Sequence, residues 1–246
     1  MNQPRKVALV TGSATGIGRA VAVRLAQQGL AVALNYSRSE AEAQKTLEEV
    51  RRHDVPAIVC RANVGDDRAV REMVGRCRDE LGGLDVLVNN AATTQFIDHA
   101  NLDALTDEVW DEILGVNLKG TFYCSRAAVP LLQERSGSIV NVTSIAGLHG
   151  NGSSIPYAAS KAAVNCMTMS LARAFAPKVR VNAVAPGAVL TRWLANHTVM
   201  VERYAAATPM RRAATPDDVA DAVLFLSLGN TLVTGQVLVV DGGYTI

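Results

Sequence analysis

The strongest constraint on the fold is an alternation that runs the length of the chain, in which short, continuously apolar runs are each followed by a stretch with helical apolar spacing. Val7-Ala8-Leu9-Val10 is apolar at every position, as a strand covered on both faces of a parallel sheet must be. The stretch after it sets Ile17, Val21 and Leu25 on one helical stripe and ends at Gly29, where a left-handed residue costs least. Further strands are expected at residues 31–34, 57–60, 85–88, 138–142, 179–184 and 236–240. Ser39-Glu40-Ala41-Glu42 has a capping-box pattern and opens a helix with Ala43, Leu47 and Val50 inward. Over 66–81, Val70, Val74, Cys77 and Leu81 keep helical spacing beneath a charged shell that reads as a solvated face. Thr215-Pro216-Asp217-Asp218 is another helix start, with a capping hydroxyl and proline in the first turn. Parallel strands need long crossovers of right-handed sense, so the pattern predicts a doubly wound α/β fold with a seven-stranded parallel sheet and helices on both faces.

No linker or repeat interrupts this order, and residues 1–246 are expected to form one domain. The irregular stretch is 187–210, which reads as a loop carrying Trp193, Leu194, Met200 and Met210 and is expected to be a substrate lid. A composition 49% hydrophobic and 19% charged is that of a globular chain. A formal net charge of +1 supplies no field that would attract nucleic acid or an anionic membrane. Cys60, Cys77, Cys124 and Cys166 lie far apart without metal-ligand spacing and read as buried thiols, so no metal is expected. The start of the chain lacks a signal-peptide pattern and no apolar run reaches membrane-spanning length, which predicts a cytoplasmic protein.

Between the first strand and the first helix stands Thr11-Gly12-Ser13-Ala14-Thr15-Gly16-Ile17-Gly18. Glycines at such a junction let backbone N–H groups approach a pyrophosphate at a helix N-terminus, although a glycine-rich turn alone is also an ordinary conformational device. The spacing is G-x-x-x-G-x-G, and this Thr-Gly-x-x-x-Gly-Ile-Gly pattern resembles the cofactor motif of the short-chain dehydrogenase/reductase family. Three later segments resemble that family as well. Asn89-Asn90-Ala91-Ala92 is similar to its Asn-Asn-Ala-Gly, with Ala92 in place of glycine. Asn63-Val64 is similar to its Asp-Val adenine contact, with an amide that can still hydrogen-bond the adenine amino group. Pro186-Gly187-Ala188-Val189-Leu190-Thr191 is similar to its Pro-Gly-x-x-x-Thr nicotinamide-binding segment. The resemblance spans residues 5–245 and implies a Rossmann domain that binds a nicotinamide dinucleotide.

Tyr157 and Lys161 lie four residues apart, hence on one face of a helix. Taken alone this is an ordinary amphipathic pair, and Ser144 and Asn117 each have a plain capping or turn reading. In this order and spacing the four residues resemble the family's catalytic Asn-Ser-Tyr-Lys set. The resemblance implies that Tyr157 transfers a proton, Ser144 hydrogen-bonds the substrate oxygen, Lys161 supports Tyr157 and contacts the nicotinamide ribose, and Asn117 holds a relay water. A cation beside a phenol favours phenolate, so Lys161 and an oxidised nicotinamide are expected to lower the Tyr157 pKa.

The cofactor residues expected are Gly12, Ser13, Thr15, Gly16, Ile17 and Gly18; Asn35, Tyr36, Ser37 and Arg38; Asn63 and Val64; Asn90, Ala91 and Ala92; Tyr157 and Lys161; and Pro186, Gly187, Val189 and Thr191. The end of the second strand reads Asn35-Tyr36-Ser37-Arg38 and lacks the carboxylate that would hold a ribose 2′-hydroxyl. Ser37 and Arg38 suit a 2′-phosphate instead, which favours NADP(H), with NAD(H) as the alternative. The resulting expectation is an NADPH-dependent reductase of a small carbonyl substrate, reversible to the secondary alcohol and resembling the 3-oxoacyl-carrier-protein reductases. The rivals are an NAD-linked sugar or polyol dehydrogenase and a non-catalytic dinucleotide sensor. The resemblance also implies a homotetramer and an acyl carrier protein as partner, for which Arg135 and Lys178 are candidate basic contacts. Thr93, Thr94, Gln95, Ile145, Leu148 and His149 are the expected specificity residues. His53, His99, His149 and His197 lack any partner pattern and are expected in loop or surface roles.

Overall fold

The side chains of β1 (Val7–Val10) alternate between two apolar cores, Ala8 and Val10 facing one and Val7 and Leu9 the other. That division explains why the strand is apolar at every position, since a polar residue on either face would be buried without a partner. The computed structural model describes residues 5–246. Its strands β2 (Ala31–Tyr36), β3 (Ala57–Arg61), β4 (Val86–Asn89), β5 (Ser138–Val142), β6 (Arg180–Pro186) and β7 (Val237–Val240) join β1 in one parallel sheet. The order is β3-β2-β1-β4-β5-β6-β7. The chain winds outward from β1 to β3 and then returns to the other side of β1, so a crevice opens where strand order reverses, above the carboxyl ends of β1 and β4.

Helices α1 (Gly16–Gln27), α2 (Glu40–Arg51) and α9 (Pro216–Leu224) contribute to the core on one face of the sheet. Helices α3 (Asp67–Leu81), α5 (Thr121–Arg135) and α7 (Ile155–Phe175) contribute to the other. Helix α4 (Asp107–Leu114) runs into α5 through a π-helical stretch, Gly115–Gly120, and α6 (Ala146–His149) is a single turn before α7. Buried amides and hydroxyls fix how α5 and α7 seat on the sheet: Asn89 Nδ2 donates to Ser125 Oγ at 3.1 Å and to Asn141 Oδ1 at 2.9 Å, while Asn141 Nδ2 donates to Thr168 Oγ1 at 2.9 Å.

Local sequence explains the starts of α3 and α9. Asp66 accepts from the N–H groups of Arg68 and Ala69 to start α3, and Thr215 with Asp218 forms a reciprocal capping box at α9. The box expected at Ser39 does not form: its side chain makes no capping bond to α2, and its hydroxyl accepts a hydrogen bond from Arg192. The stretch 187–210 also differs from the expected loop: it contains a 3-10 turn, Arg192–Leu194, and helix α8 (Thr198–Ala207). Three cysteines are buried as expected, but Cys166 is exposed on the outer side of α7. Arg135 is not free to meet a partner, since its guanidinium bonds the carbonyl of Gly82 at 2.6 Å and the Asp85 carboxylate at 3.3 Å. Lys178 is exposed.

Candidate active site

The carboxyl ends of β1 to β6 open on one cleft of about 1510 Å³. On its floor the turn after β1 uses positive φ at Gly12 and Gly16. A Cβ on Gly12 would stand 2.9 Å from the Ala91 Cα, so the turn closes against the loop after β4 only because no side chain intervenes. Gly18 serves a different purpose from the one expected. It is buried beneath the turn rather than lining the cleft, and a Cβ there would come within 2.5 Å of the Gly12 carbonyl oxygen. Ser13 is likewise turned inward, with its N–H and hydroxyl both donating to the Asn35 carbonyl.

Two amides hold this turn in shape. Asn35 Oδ1 accepts from Gly12 N at 3.1 Å while its Nδ2 donates to the Ala62 carbonyl at 3.0 Å, and Asn90 Nδ2 donates to the carbonyls of Thr11 and Gly12 at 2.9 and 3.0 Å. Their side chains therefore brace the turn, although both residues line the cleft. Thr11, the first residue of the Thr-Gly-x-x-x-Gly-Ile-Gly pattern, accepts through its hydroxyl from the N–H groups of Asn90 and Ala91. Ala92 also lines the cleft and has no positive φ, so replacing the usual glycine strains nothing there. The first-turn N–H groups of α1 have no intrahelical acceptor by helix geometry, and Thr15 does not cap them. A glycine cradle facing uncapped N–H donors fits the pyrophosphate of a dinucleotide. Thr15, Ile17, Tyr36, exposed Ser37 and Arg38, Asn63, Val64, Ala91, Pro186, Gly187, Val189 and Thr191 line the same cleft.

At its other end stand the helical pair and Ser144. Pro156 lies in the first turn of α7, where its missing N–H costs no hydrogen bond, and places half-buried Tyr157 beside the end of β5. Tyr157 meets the Ser144 hydroxyl, yet burial outweighs that contact and pushes the phenol up to about 12. Lys161 is only 4% exposed. Its Nζ donates to the Val142 carbonyl at 2.9 Å and lies 5.6 Å from the centre of the Tyr157 ring. Burial without a carboxylate partner pulls its pKa down to about 8. The expected lowering of the Tyr157 pKa is therefore reversed among the protein groups themselves, because burial raises it by more than the Ser144 contact lowers it.

Asn117 sits in the π-helical stretch. Its Oδ1 accepts from Thr93 N at 2.8 Å, and its Nδ2 donates to the Thr93 carbonyl and to Ser160 Oγ, each at 3.0 Å. The side chain thus ties the loop after β4 to α7. Ser160, a residue not anticipated, passes the link on by donating to the Tyr157 carbonyl at 2.7 Å.

A sequence model of the family described as enoyl-(acyl carrier protein) reductase matches residues 12–245. The protein named ketoacyl reductase 2 of the granaticin polyketide synthase of Streptomyces violaceoruber is 47% identical over 241 residues, covering 96% of this chain and 95% of that one. The chain is a short-chain dehydrogenase/reductase. A 3-oxoacyl-[acyl-carrier-protein] reductase of Staphylococcus aureus is 38% identical over 242 residues, covering 97% of each chain. Among solved structures, a short-chain dehydrogenase of Burkholderia cenocepacia in complex with NADP superposes with a TM-score of 0.92 at 34% identity and full coverage of both chains. A short-chain dehydrogenase/reductase of Burkholderia xenovorans gives 0.94 at 38% identity, covering 99% of each. As a member of this family the chain is an NAD(P)-dependent oxidoreductase acting on CH–OH and C=O groups, on a Rossmann-like α/β fold.

Residues between 191 and 207 form one wall of the short-chain dehydrogenase/reductase cleft. Trp193 meets Tyr157 edge-on, with ring centres 6.4 Å apart, and Phe96 stacks on His197 at 4.2 Å. Trp193, Leu194 and Met200 line the cleft, whereas Met210 is 65% exposed and does not. Of the expected specificity residues, Thr93, Thr94 and Ile145 line the cleft, and Gln95, Leu148 and His149 do not. Phe96, His197 and Arg203 take part instead. Among the described residues no cluster of His, Cys, Asp and Glu could hold a metal ion, and no helix is long and apolar enough to cross a membrane.

Proposed function

We propose that the protein reduces a ketone to a secondary alcohol with NADPH, acting on a 3-oxoacyl group of the kind its ketoacyl reductase relatives are named for. The observation that carries this reading is the meeting of Tyr157 and Ser144 at the end of a cleft whose other end is a glycine cradle. Chain length fits as well, since the match to the ketoacyl reductase relatives runs over nearly the whole of both proteins.

NADPH, held along the cleft by the glycine turn and the strand-two segment, would supply the hydride for the carbonyl carbon. Tyr157 donates its hydroxyl proton to the carbonyl oxygen as the C–O bond becomes single, and Ser144 donates a hydrogen bond to the same oxygen as charge develops there. A phenol pushed up to about 12 is fully protonated at neutral pH and so is ready for reduction rather than oxidation. Lys161 is mostly cationic below about pH 8, where it stabilises the negative charge that builds up on Tyr157 as the proton leaves, and it would bind the nicotinamide ribose. Asn117, through the backbone of its π-helical stretch, positions the water that returns a proton to Lys161. The lid side chains Trp193, Leu194 and Met200 cover the apolar part of the substrate. Arg38 and Ser37 receive the 2′-phosphate by charge-assisted hydrogen bonds. The reading also takes the chain as one cytoplasmic domain assembled as a homotetramer, with exposed Phe122 on α5 and Met169 on α7 as apolar contact points, and an acyl carrier protein as the substrate's bearer.

Steady-state reduction of a short 3-oxoacyl thioester with each dinucleotide tests the proposal. Turnover with NADPH should exceed that with NADH in kcat/KM by about tenfold or more, as one lost charge-assisted contact implies. Arg38→Ala should remove that advantage while leaving NADH turnover unchanged. Equal or better efficiency with NADH in the unmodified protein contradicts the cofactor assignment.

A further inference from the structure

Arg192 stands directly after Thr191, whose side chain rests against the glycine turn: a Cβ on Gly16 would lie 3.2 Å from the Thr191 methyl group. From that position the Arg192 guanidinium crosses the mouth of the cleft, and its Nη1 donates to the Ser39 hydroxyl at 3.1 Å. Ser39 belongs to the opposite bank and adjoins Ser37 and Arg38. It spends its hydroxyl on this contact although it is the residue placed to cap α2. A guanidinium bonded to a neutral, partly exposed hydroxyl contributes little to folding, since water offers it equivalent partners. Among the described residues neither Arg192 nor Arg38 forms an ion pair with a carboxylate, whereas arginines such as Arg24, Arg126 and Arg212 do. Two unneutralised guanidiniums thus face one cleft from its two banks, and both line it. Glu40, next to Ser39 on that bank, adds to burial in raising the pKa of the Tyr36 hydroxyl.

We propose that Arg192 is a lid-borne phosphate-binding residue and latch, which grips a phosphate group of the dinucleotide from the side opposite Arg38 and, with Ser39, holds the lid across the bound cofactor. The inference rests on the dinucleotide reading of the cleft and extends it to a residue outside the glycine turn and outside the strand-two segment. A guanidinium has five N–H donors in a planar fork, so it can keep the Ser39 contact while presenting a second edge to phosphate oxygens. Trp193 follows Arg192 and meets Tyr157, so the same short segment ties cofactor binding to closure over the reacting end.

Isothermal titration of NADPH and of NADH into the wild type and into Arg192→Ala, Arg192→Lys and Ser39→Ala tests this, together with hydrogen exchange of residues 192–207. In Arg192→Ala the Kd should rise about tenfold or more, as for loss of a charge-assisted pair. A loss confined to NADPH places the contact at the 2′-phosphate, and an equal loss for both dinucleotides places it at the pyrophosphate. Arg192→Lys should restore part of the affinity. NADPH should slow lid exchange in the wild type and not in Arg192→Ala, and Ser39→Ala should add nothing in an Arg192→Ala background. NADPH affinity and lid protection indifferent to Arg192, or fully additive effects of the Ser39 and Arg192 changes, overturn the inference alone. A wild-type protein that binds neither dinucleotide overturns the dinucleotide reading with it.

Discussion

Lys161 shows what the proposed catalytic site costs its own fold. Its ammonium is buried against a carbonyl rather than a carboxylate, and its pKa falls from 10.5 to about 8. Between those two values the unfolded chain binds more protons than the native one, so this group makes stability rise with pH across that range; at neutral pH its buried charge is a net cost. A tenfold weaker hold on a proton corresponds to about 1.4 kcal/mol, and losing the Val142 hydrogen bond offsets part of the relief that removing the charge would bring. Lys161→Met should therefore raise unfolding stability at pH 7 by on the order of 1 kcal/mol while abolishing turnover, and the gain should vanish near pH 10. Thermal melts at the two pH values check this, and a variant less stable than wild type at pH 7 contradicts it. The pairing of Tyr157 with Lys161 is legible in their spacing. The direction in which burial moves their pKa values is not, because it follows from how deep the fold sets each group. Ser13, Gly18 and Asn35 illustrate the same limit: the motif marks the turn, but the register of each side chain about the turn is set by tertiary contacts.

At the scale of elements, the lid is where sequence and structure part. Helix α8 is not legible in the sequence because none of its residues is buried, so no apolar stripe marks its period, and the run Ala205-Ala206-Ala207 carries propensity alone. What anchors it is specific: the Tyr204 hydroxyl donates to the Asp241 carbonyl at 2.9 Å, and its ring stacks on Tyr244. Ser39 departs from its capping pattern as well, and its hydroxyl accepts instead from Arg192, 153 positions away. With the lid's far end fixed and Trp193 over Tyr157, Trp193→Ala should raise KM for the 3-oxoacyl substrate by about tenfold, as expected for loss of a large apolar contact, and leave NADPH affinity within about twofold. Equal changes in KM and in NADPH Kd would instead make Trp193 part of the cofactor wall.

Across the whole molecule, the fold is legible because parallel strands covered on both faces must be apolar throughout, and the two cores meeting at β1 show why. The switch point between β1 and β4 then fixes where a ligand can lie, and it gathers residues from 12 to 244 into one cleft. Proton delivery by Tyr157 at the end of that cleft is the claim on which the rest depends. Tyr157→Phe removes one oxygen and keeps the ring, so the fold, the edge-on contact with Trp193 and NADPH binding should persist. The most direct test is single-turnover consumption of bound NADPH by a 3-oxoacyl thioester in the wild type and in Tyr157→Phe, with NADPH affinity measured alongside. The account predicts a rate lower by about a hundred- to ten-thousandfold at unchanged affinity, the usual loss for a general acid; near-normal turnover in Tyr157→Phe would contradict it.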